Sequence, residues 1–157
     1  MVFDDFIISV VPQYQGFARS INDYMLNNGC ALKITTAKNG LVVSYQHLAK
    51  KKVVMNFVFR KKGLVVRIYG DHVGEYPEFL ETLPGSMKES IRTAPSCKRF
   101  EDPPRCSPKC GGYVFSIGDA QYQKCRYSCF MFVVDDESIP FITSHIEKEL
   151  AARAASA

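Results

Sequence analysis

The chain has 157 residues, of which 46% are hydrophobic and 23% charged, with a formal net charge of +4. This length is enough to bury a hydrophobic core without cross-links, so we expect one domain over residues 1–157. No apolar run is long enough to cross a membrane, and the N-terminal segment lacks the basic start and cleavage site of a secretory signal. We therefore expect a cytoplasmic protein without a membrane partner.

The first half of the chain predicts a helix followed by four strands. Apolar residues recur at spacings of three and four from Tyr14 to Met25, which indicates an amphipathic helix after Pro12. From Ala31 the period changes to two, and two hairpins are predicted. The first has Asn39-Gly40 in its turn, a signal for a type I′ turn with positive φ at both central residues, and the second has residues 61–63 at its tip. One face of this antiparallel meander is apolar and should pack on helices.

The basic residues are concentrated in these strands. Residues 31–70 contain nine of the 20 Lys and Arg residues and no Asp or Glu, whereas the rest of the chain has eleven basic and sixteen acidic residues. A surface of one sign attracts anionic partners. Lys33, Arg60 and Arg67 are therefore candidate anion-binding residues. The alternative is a solvated basic edge that discourages pairing between sheets.

The second half predicts helices around a third hairpin. Pro84 and Gly85 should divide residues 75–93 into two short helices, and residues 95–111 should form a proline-rich loop. A hairpin around a Gly118-Asp119 turn and an amphipathic helix from Ile139 follow. The expected fold class is α+β, with a single antiparallel sheet of about six strands from three hairpins, helices on one face and a Cys-rich loop.

Five of the six cysteines lie within 33 residues, which is a spacing typical of a metal site. They are Cys97, Cys106, Cys110, Cys125 and Cys129. Clustered thiols in a cytoplasmic protein indicate metal ligands or redox groups before disulfides. The subregion 95–129 is therefore the candidate zinc loop.

The segment from Cys106 to Gly112 resembles the Cys-Pro-x-Cys-Gly zinc knuckle of zinc ribbons and rubredoxin-like sites, with one extra residue between its cysteines. The resemblance implies metal binding and no particular activity. The hairpin register should also place Cys125 opposite Gly112, two residues from Cys110.

A structural zinc ion bound by Cys97, Cys106, Cys110 and Cys125 is the preferred interpretation. Cys129 would lie about 13 Å further along an extended strand, and nothing in residues 126–128 demands a turn. Cys129 is therefore expected in the core or as an alternate ligand in place of Cys97. Metal-free buried thiols are the alternative, with redox catalysis as a third interpretation.

The histidines give only a weak indication of catalysis. His72 follows a predicted strand and is the best placed for chemistry, whereas His47 is expected in the core or at a sheet edge and His145 is expected to be exposed. No motif supplies a nucleophile or a phosphate-binding glycine loop, so we name no catalytic residue.

These patterns predict a non-enzymatic, zinc-stapled binding domain, an accessory protein that binds a small ligand or a protein partner. One alternative is a nucleic-acid-associated or regulatory domain that uses the basic sheet 31–70, although Tyr69 is the only aromatic residue expected on its outward face. A second alternative is a small enzyme with a site near His72 and the Cys loop.

Overall fold

Two helices and then four consecutive strands begin the chain in the computed structural model, which describes residues 1–98, 106 and 110–156. The helices are α1 (Phe3–Ile7), α2 (Pro12–Asn27), α3 (Pro77–Glu81), α4 (Gly85–Thr93) and α5 (Ile139–Ala155). The strands are β1 (Cys30–Ala37), β2 (Gly40–His47), β3 (Lys52–Arg60), β4 (Gly63–Ile68), β5 (Tyr113–Ile117), β6 (Ala120–Lys124) and β7 (Met131–Val133). A 3₁₀ turn, Val73–Glu75, precedes α3.

The strands form a five-stranded antiparallel sheet in the order β1-β2-β3-β4-β7 and a separate two-stranded hairpin, β5-β6. The predicted α+β class is confirmed. The third hairpin, however, does not join the main sheet. Its second strand ends at Lys124, and residues 126–130 then form a turn in which the Ser128 and Cys129 N–H groups donate to the Cys125 carbonyl. After this turn, β7 pairs with β4.

The two faces of the main sheet differ in character, as the alternating pattern predicts. One face packs on the helices through ring contacts: Phe57 lies 5.3 Å from Phe6 of α1 and 6.4 Å from Phe17 of α2, between ring centroids. Phe132 of β7 similarly contacts His145 of α5 at 6.4 Å. The opposite face, here called the polar face, carries a row of aligned residues: Lys33, Ser44, Asn56 and Arg67.

Both predicted hairpins of the main sheet form, but their turns are built differently from the prediction. The first turn consists of Lys38 and Asn39, neither of which has positive φ, and Gly40 follows as the first residue of β2 with φ 134°. The second turn repeats this arrangement, with Gly63 at φ 111° after a two-residue turn. Glycine is needed immediately after each turn, where the left-handed region is occupied.

The meander places two of its turns together. The 38–39 and 61–62 turns lie at one end of the sheet, here called the basic end, because each joins an ascending strand to a descending one. Lys38, Arg60, Lys61 and Lys62 are therefore grouped there, while Lys50 to Lys52 lie at the opposite end. No helix among the described residues is long and apolar enough to cross a membrane.

Candidate functional sites

The first residues of the Cys-rich subregion pair with the β5-β6 hairpin. Cys97 N–H donates to the Gln123 carbonyl at 3.1 Å, Cys125 N–H donates to the Pro95 carbonyl at 3.0 Å, and Ser96 forms a β-bridge with Lys124. Two of the predicted ligands, Cys97 and Cys125, are thus carried by adjacent segments of backbone.

The hairpin register agrees with the prediction, since Ile117 faces Ala120 and Tyr113 faces Lys124. The next positions along the hairpin are Gly112 and Cys125. Gly112 has φ 68°, and a Cβ on it would lie 2.9 Å from Cys97 Sγ. A side chain at this position would collide with the thiol, so the glycine allows Cys97 to pack against the start of the hairpin.

Cys129 lies in the core, and the prediction that residues 126–128 do not turn is wrong. Cys129 N–H donates to the Cys125 carbonyl at 2.9 Å, as in one turn of a helix. Its side chain is 0% exposed, and burial raises the pKa of the Cys129 thiol well above its usual range. Cys30 is also buried, at the start of edge strand β1, four inter-strand spacings of about 4.8 Å from β7.

Cys106, Cys110 and Cys125 are half-buried, whereas Cys97 is buried. Within residues 1–98, 106 and 110–156, no group of three or more His, Cys, Asp or Glu side chains is arranged to hold a metal ion. Most of the predicted proline-rich loop, residues 99–105 and 107–109, lies outside the described residues.

On the polar face, a hydrogen-bonded row crosses the central strands. Asn56 Nδ2 donates to Ser44 Oγ at 2.6 Å, and Arg67 Nη1 donates to Asn56 Oδ1 at 3.2 Å. Arg67 also donates from Nε to the Tyr127 carbonyl at 2.7 Å and from Nη2 to Met131 Sδ at 3.8 Å. The guanidinium group is therefore held in one place by neutral acceptors.

A groove of about 260 Å³ opens at the basic end of the polar face. Two predicted anion-binding residues, Arg60 and Arg67, line it together with Lys38. Lys33 is exposed two strands away from Asn56, in the same row as Arg67. In the part of the chain that the structure describes, no basic residue of 31–70 forms an ion pair with a carboxylate.

A second set of charges lies buried between α5, the loop after β4 and the β5-β6 hairpin. This buried charge cluster consists of Asp71, Tyr76, Tyr113, Arg126, Glu149 and Arg153. Glu149 is 0% exposed and Arg153 is 2% exposed. Arg153 Nε donates to Glu149 Oε2 at 2.7 Å and Nη2 donates to the Tyr69 carbonyl at 2.8 Å, while Tyr76 donates to Glu149 Oε1 at 2.6 Å. Every charge in this group has an opposite partner.

Asp71 joins the hairpin to α5. Arg126 donates from Nε to Asp71 Oδ1 at 2.9 Å, Tyr113 donates to the same oxygen at 2.7 Å, and Arg153 Nη2 reaches Oδ2 at 3.3 Å. Burial opposes ionisation of Asp71, but these hydrogen bonds and the two arginine charges outweigh it and hold the pKa of Asp71 below its usual value. Burial and the Asp71 carboxylate together raise the pKa of Tyr113.

His72 lies at the edge of this cluster, in a cleft of about 220 Å³ that is also lined by Lys50 and Lys52. Its Nδ1 is 3.5 Å from Glu149 Oε2, and its Nε2 is 3.3 Å from Ser156 Oγ. The contact between Ser156 Oγ and His72 Nε2 is slightly longer than the 2.6–3.2 Å typical of a nucleophile and its base. The arrangement therefore places an imidazole in a cleft, between a hydroxyl group and a buried carboxylate.

His145 contradicts its prediction, because it is 0% exposed, and neither ring nitrogen has a hydrogen-bond partner among the residues that the structure describes. Rings surround it, with Phe130 at 5.0 Å, Phe79 at 5.3 Å and Tyr76 at 5.7 Å between centroids. Burial lowers the pKa of His145 to about 3. His47, in contrast, lies at the end of β2, where its Nδ1 accepts from the Lys50 N–H at 3.3 Å.

The buried charge cluster was missed by sequence reasoning. The signal for it was the spacing of Ile142, Ile146, Glu149 and Arg153, which places the charged pair on the apolar side of α5. A pair of opposite charges four residues apart on a helix usually lies on the surface, so the spacing of Glu149 and Arg153 did not indicate that they are buried.

Comparisons of the whole chain with protein-family models, with curated proteins and with solved structures find no match. The geometry of its own residues is therefore what supports a function for this chain.

Proposed function

We propose that the chain is a non-enzymatic binding domain that holds an anionic, phosphate-bearing ligand on the polar face of its five-stranded sheet. One observation carries this proposal. The guanidinium of Arg67 is fixed by three hydrogen bonds to neutral acceptors, lines the same groove as Arg60, and belongs to a segment of 40 residues without a carboxylate. Its charge is positioned, and among the described residues no carboxylate forms an ion pair with it.

An oxyanion suits this arrangement for physical reasons. Guanidinium groups bind phosphate and carboxylate oxygens through paired, charge-assisted hydrogen bonds. Arg67 is held by its contacts to Asn56 and Tyr127, so little side-chain entropy is lost when a ligand binds. Arg60 and Lys38 add positive charge at the rim of the same groove.

A structural zinc ion on the Cys-rich subregion is the second part of the proposal. Cys97, Cys106, Cys110 and Cys125 would supply four thiolates, which is a closed structural set without a position for water. The backbone pairing of residues 95–97 with β6, and the contact of Cys97 with Gly112, support this ligand set. The ion would fix the loop before β5 to the end of the hairpin, next to the turn that carries Arg126. A cytoplasmic accessory protein is the setting in which such thiols stay reduced and available to a metal ion.

The anion site is tested by isothermal titration with inorganic pyrophosphate. We expect saturable binding to the unmodified protein and at least a tenfold loss of affinity in the Arg67→Gln variant. The matched control is Lys50→Gln with Lys52→Gln at the opposite end of the sheet, which should bind normally. Absence of saturable binding, or equal losses in both variants, contradicts the proposal.

The zinc site is tested by elemental analysis of the purified protein. We expect about one zinc per chain, a clear loss in Cys106→Ser, and no loss in the Cys30→Ser control, because Cys30 lies on the far edge of the sheet. A protein that stays free of zinc after purification with added metal would remove this part of the proposal and leave the anion site untouched.

A further inference from the structure

We infer that the ligand of the polar face is a nucleotide, either free or as a unit of a single-stranded nucleic acid, an inference that rests on the proposed anion site. A nucleotide combines a flat apolar ring with a phosphate. The polar face offers a partner for each part, side by side.

The groove is more than a patch of charge. Its rim carries Lys38, Arg60 and Arg67, but Val42 and Val58 also line it, so that apolar groups lie among the cations. A phosphate ion would use only the rim, whereas a ring would cover the half-buried Val42. The volume of about 260 Å³ is slightly below the ~300 Å³ at which pockets begin to hold a whole drug-sized molecule. It therefore suits a ring whose attached groups remain at the surface.

A second ring site is offered by Tyr127, a residue whose backbone contacts Arg67. Tyr127 is 55% exposed, and its carbonyl accepts the Arg67 Nε hydrogen bond at 2.7 Å. Its ring meets Tyr69 edge-on at 6.0 Å, and the Arg126 guanidinium lies 4.5 Å from the centre of the Tyr69 ring. Tyr127 is thus an exposed aromatic ring with a supported position next to a fixed cation, as single-strand binding surfaces require.

A free nucleotide and a single-stranded nucleic acid would use these two ring sites differently. A free nucleotide would place its base in the groove and its phosphate at Arg67. A single strand would in addition stack its next base on Tyr127. The turn at residues 126–130 brings this tyrosine to the polar face, which the alternating pattern alone could not indicate.

The first experiment compares adenosine diphosphate with inorganic pyrophosphate by isothermal titration. We expect the nucleotide to bind at least tenfold more tightly, and Val42→Asn, which makes the groove more polar, to abolish that preference while pyrophosphate affinity is kept. Equal affinities for the two probes would overturn the nucleotide inference and leave the proposed anion site standing. If neither probe binds, both proposals fail.

The second experiment separates the two sources with a fluorescent ten-residue oligo-thymidylate strand. For a single strand we expect binding that weakens with salt, and an affinity loss of roughly 5- to 150-fold in Tyr127→Ala. The Tyr127→Phe variant should bind normally because stacking does not need the hydroxyl. An oligonucleotide affinity no higher than that of adenosine diphosphate, and unchanged by Tyr127→Ala, would support the free nucleotide and exclude the strand. Oligonucleotide binding that is also unchanged in Arg67→Gln would contradict both.

Discussion

Arg67 and Arg153 show how one side-chain type is used differently in two regions of this fold. Among the described residues, Arg67 on the polar face donates to neutral acceptors alone, while Arg153 in the buried charge cluster contacts the carboxylates of Glu149 and Asp71. The first charge remains for a partner from outside the chain. The charge of Arg153 is instead paired within the chain, where it joins α5 to the loop after β4.

The difference follows from burial. A charge removed from water must be matched by an opposite charge and by hydrogen bonds, and the cluster around Arg153 supplies both. On the polar face, Lys33 and Arg60 are exposed and Arg67 is half-buried, so these cations keep contact with water and need no partner within the chain. Changes in the cluster should therefore alter stability, and changes on the polar face should alter binding.

The largest effect is expected from breaking the buried ion pair. Arg153→Met would leave the Glu149 carboxylate buried without its cation and should lower the free energy of unfolding by about 3–5 kcal/mol. Urea denaturation at pH 7 measures this loss. The double variant Arg153→Met with Glu149→Leu removes both charges and should recover much of it. A single variant as stable as the unmodified protein would show that the pair does not hold the cluster together.

His145 should make stability depend on pH. The pKa of His145 is about 3 in the folded protein, and its usual value of 6.5 applies to the unfolded chain. Below pH 6.5 the unfolded chain therefore binds a proton that the folded chain does not. Stability should fall by a few kcal/mol as pH drops from 6.5 towards 3, because each unit of pKa shift is worth about 1.36 kcal/mol. Thermal unfolding across this range measures the loss.

The control for this prediction is His145→Leu, which keeps an apolar side chain among the same rings. This variant should make stability nearly independent of pH between pH 4 and 6.5. Asp71 affects stability at lower pH than His145 does. Because its pKa is lower in the folded protein than in the unfolded chain, ionised Asp71 stabilises the fold, and this stabilisation is lost as the pH falls through that lowered pKa. An unchanged slope between pH 6.5 and 4 in His145→Leu would contradict the assignment.

A smaller loss is expected when the hairpin loses one hydrogen bond to Asp71. Tyr113→Phe removes the donor at 2.7 Å and keeps the ring contact with Phe130, so it should cost about 1.5 kcal/mol. Urea denaturation measures it, with Tyr122→Phe on the same hairpin as the control. A loss equal to that of the control would mean that the bond adds nothing to stability.

The smallest effect on stability is expected at the basic end. Lys61→Gln with Lys62→Gln should change the free energy of unfolding by no more than about 0.5 kcal/mol, because both side chains are exposed and unpaired in the described chain. Pyrophosphate binding should weaken modestly in the same variant. A large loss of stability would show that the two regions are not as distinct as their contacts indicate.

Local patterns predicted the elements of this fold well, because each is encoded in its own residues. The hairpin from Tyr113 to Lys124 forms in the expected register, since its turn type and alternation are set within a dozen residues. Residues far apart in sequence decide the rest. The pairing of residues 95–97 with β6 joins segments far apart in sequence, which no local pattern contains.

The candidate sites divide in the same way. The basic strands and the cysteine spacing are visible in the composition of a segment, and they led to Arg60, Arg67 and the Cys-rich subregion. The partners of Asp71 come from β5, the turn after β6 and α5, and only the folded chain brings them together. Tyr127 was likewise concealed, because its position depends on that turn.

Edge strand β1 has eight residues, and Lys33 is the only one with a charge. Long, uncharged edges are templates on which other chains add strands, and a single lysine is a common deterrent. A ligand that neutralised Lys33 would also remove this deterrent. We therefore expect concentrated, ligand-saturated protein to self-associate through β1 more readily than the ligand-free form.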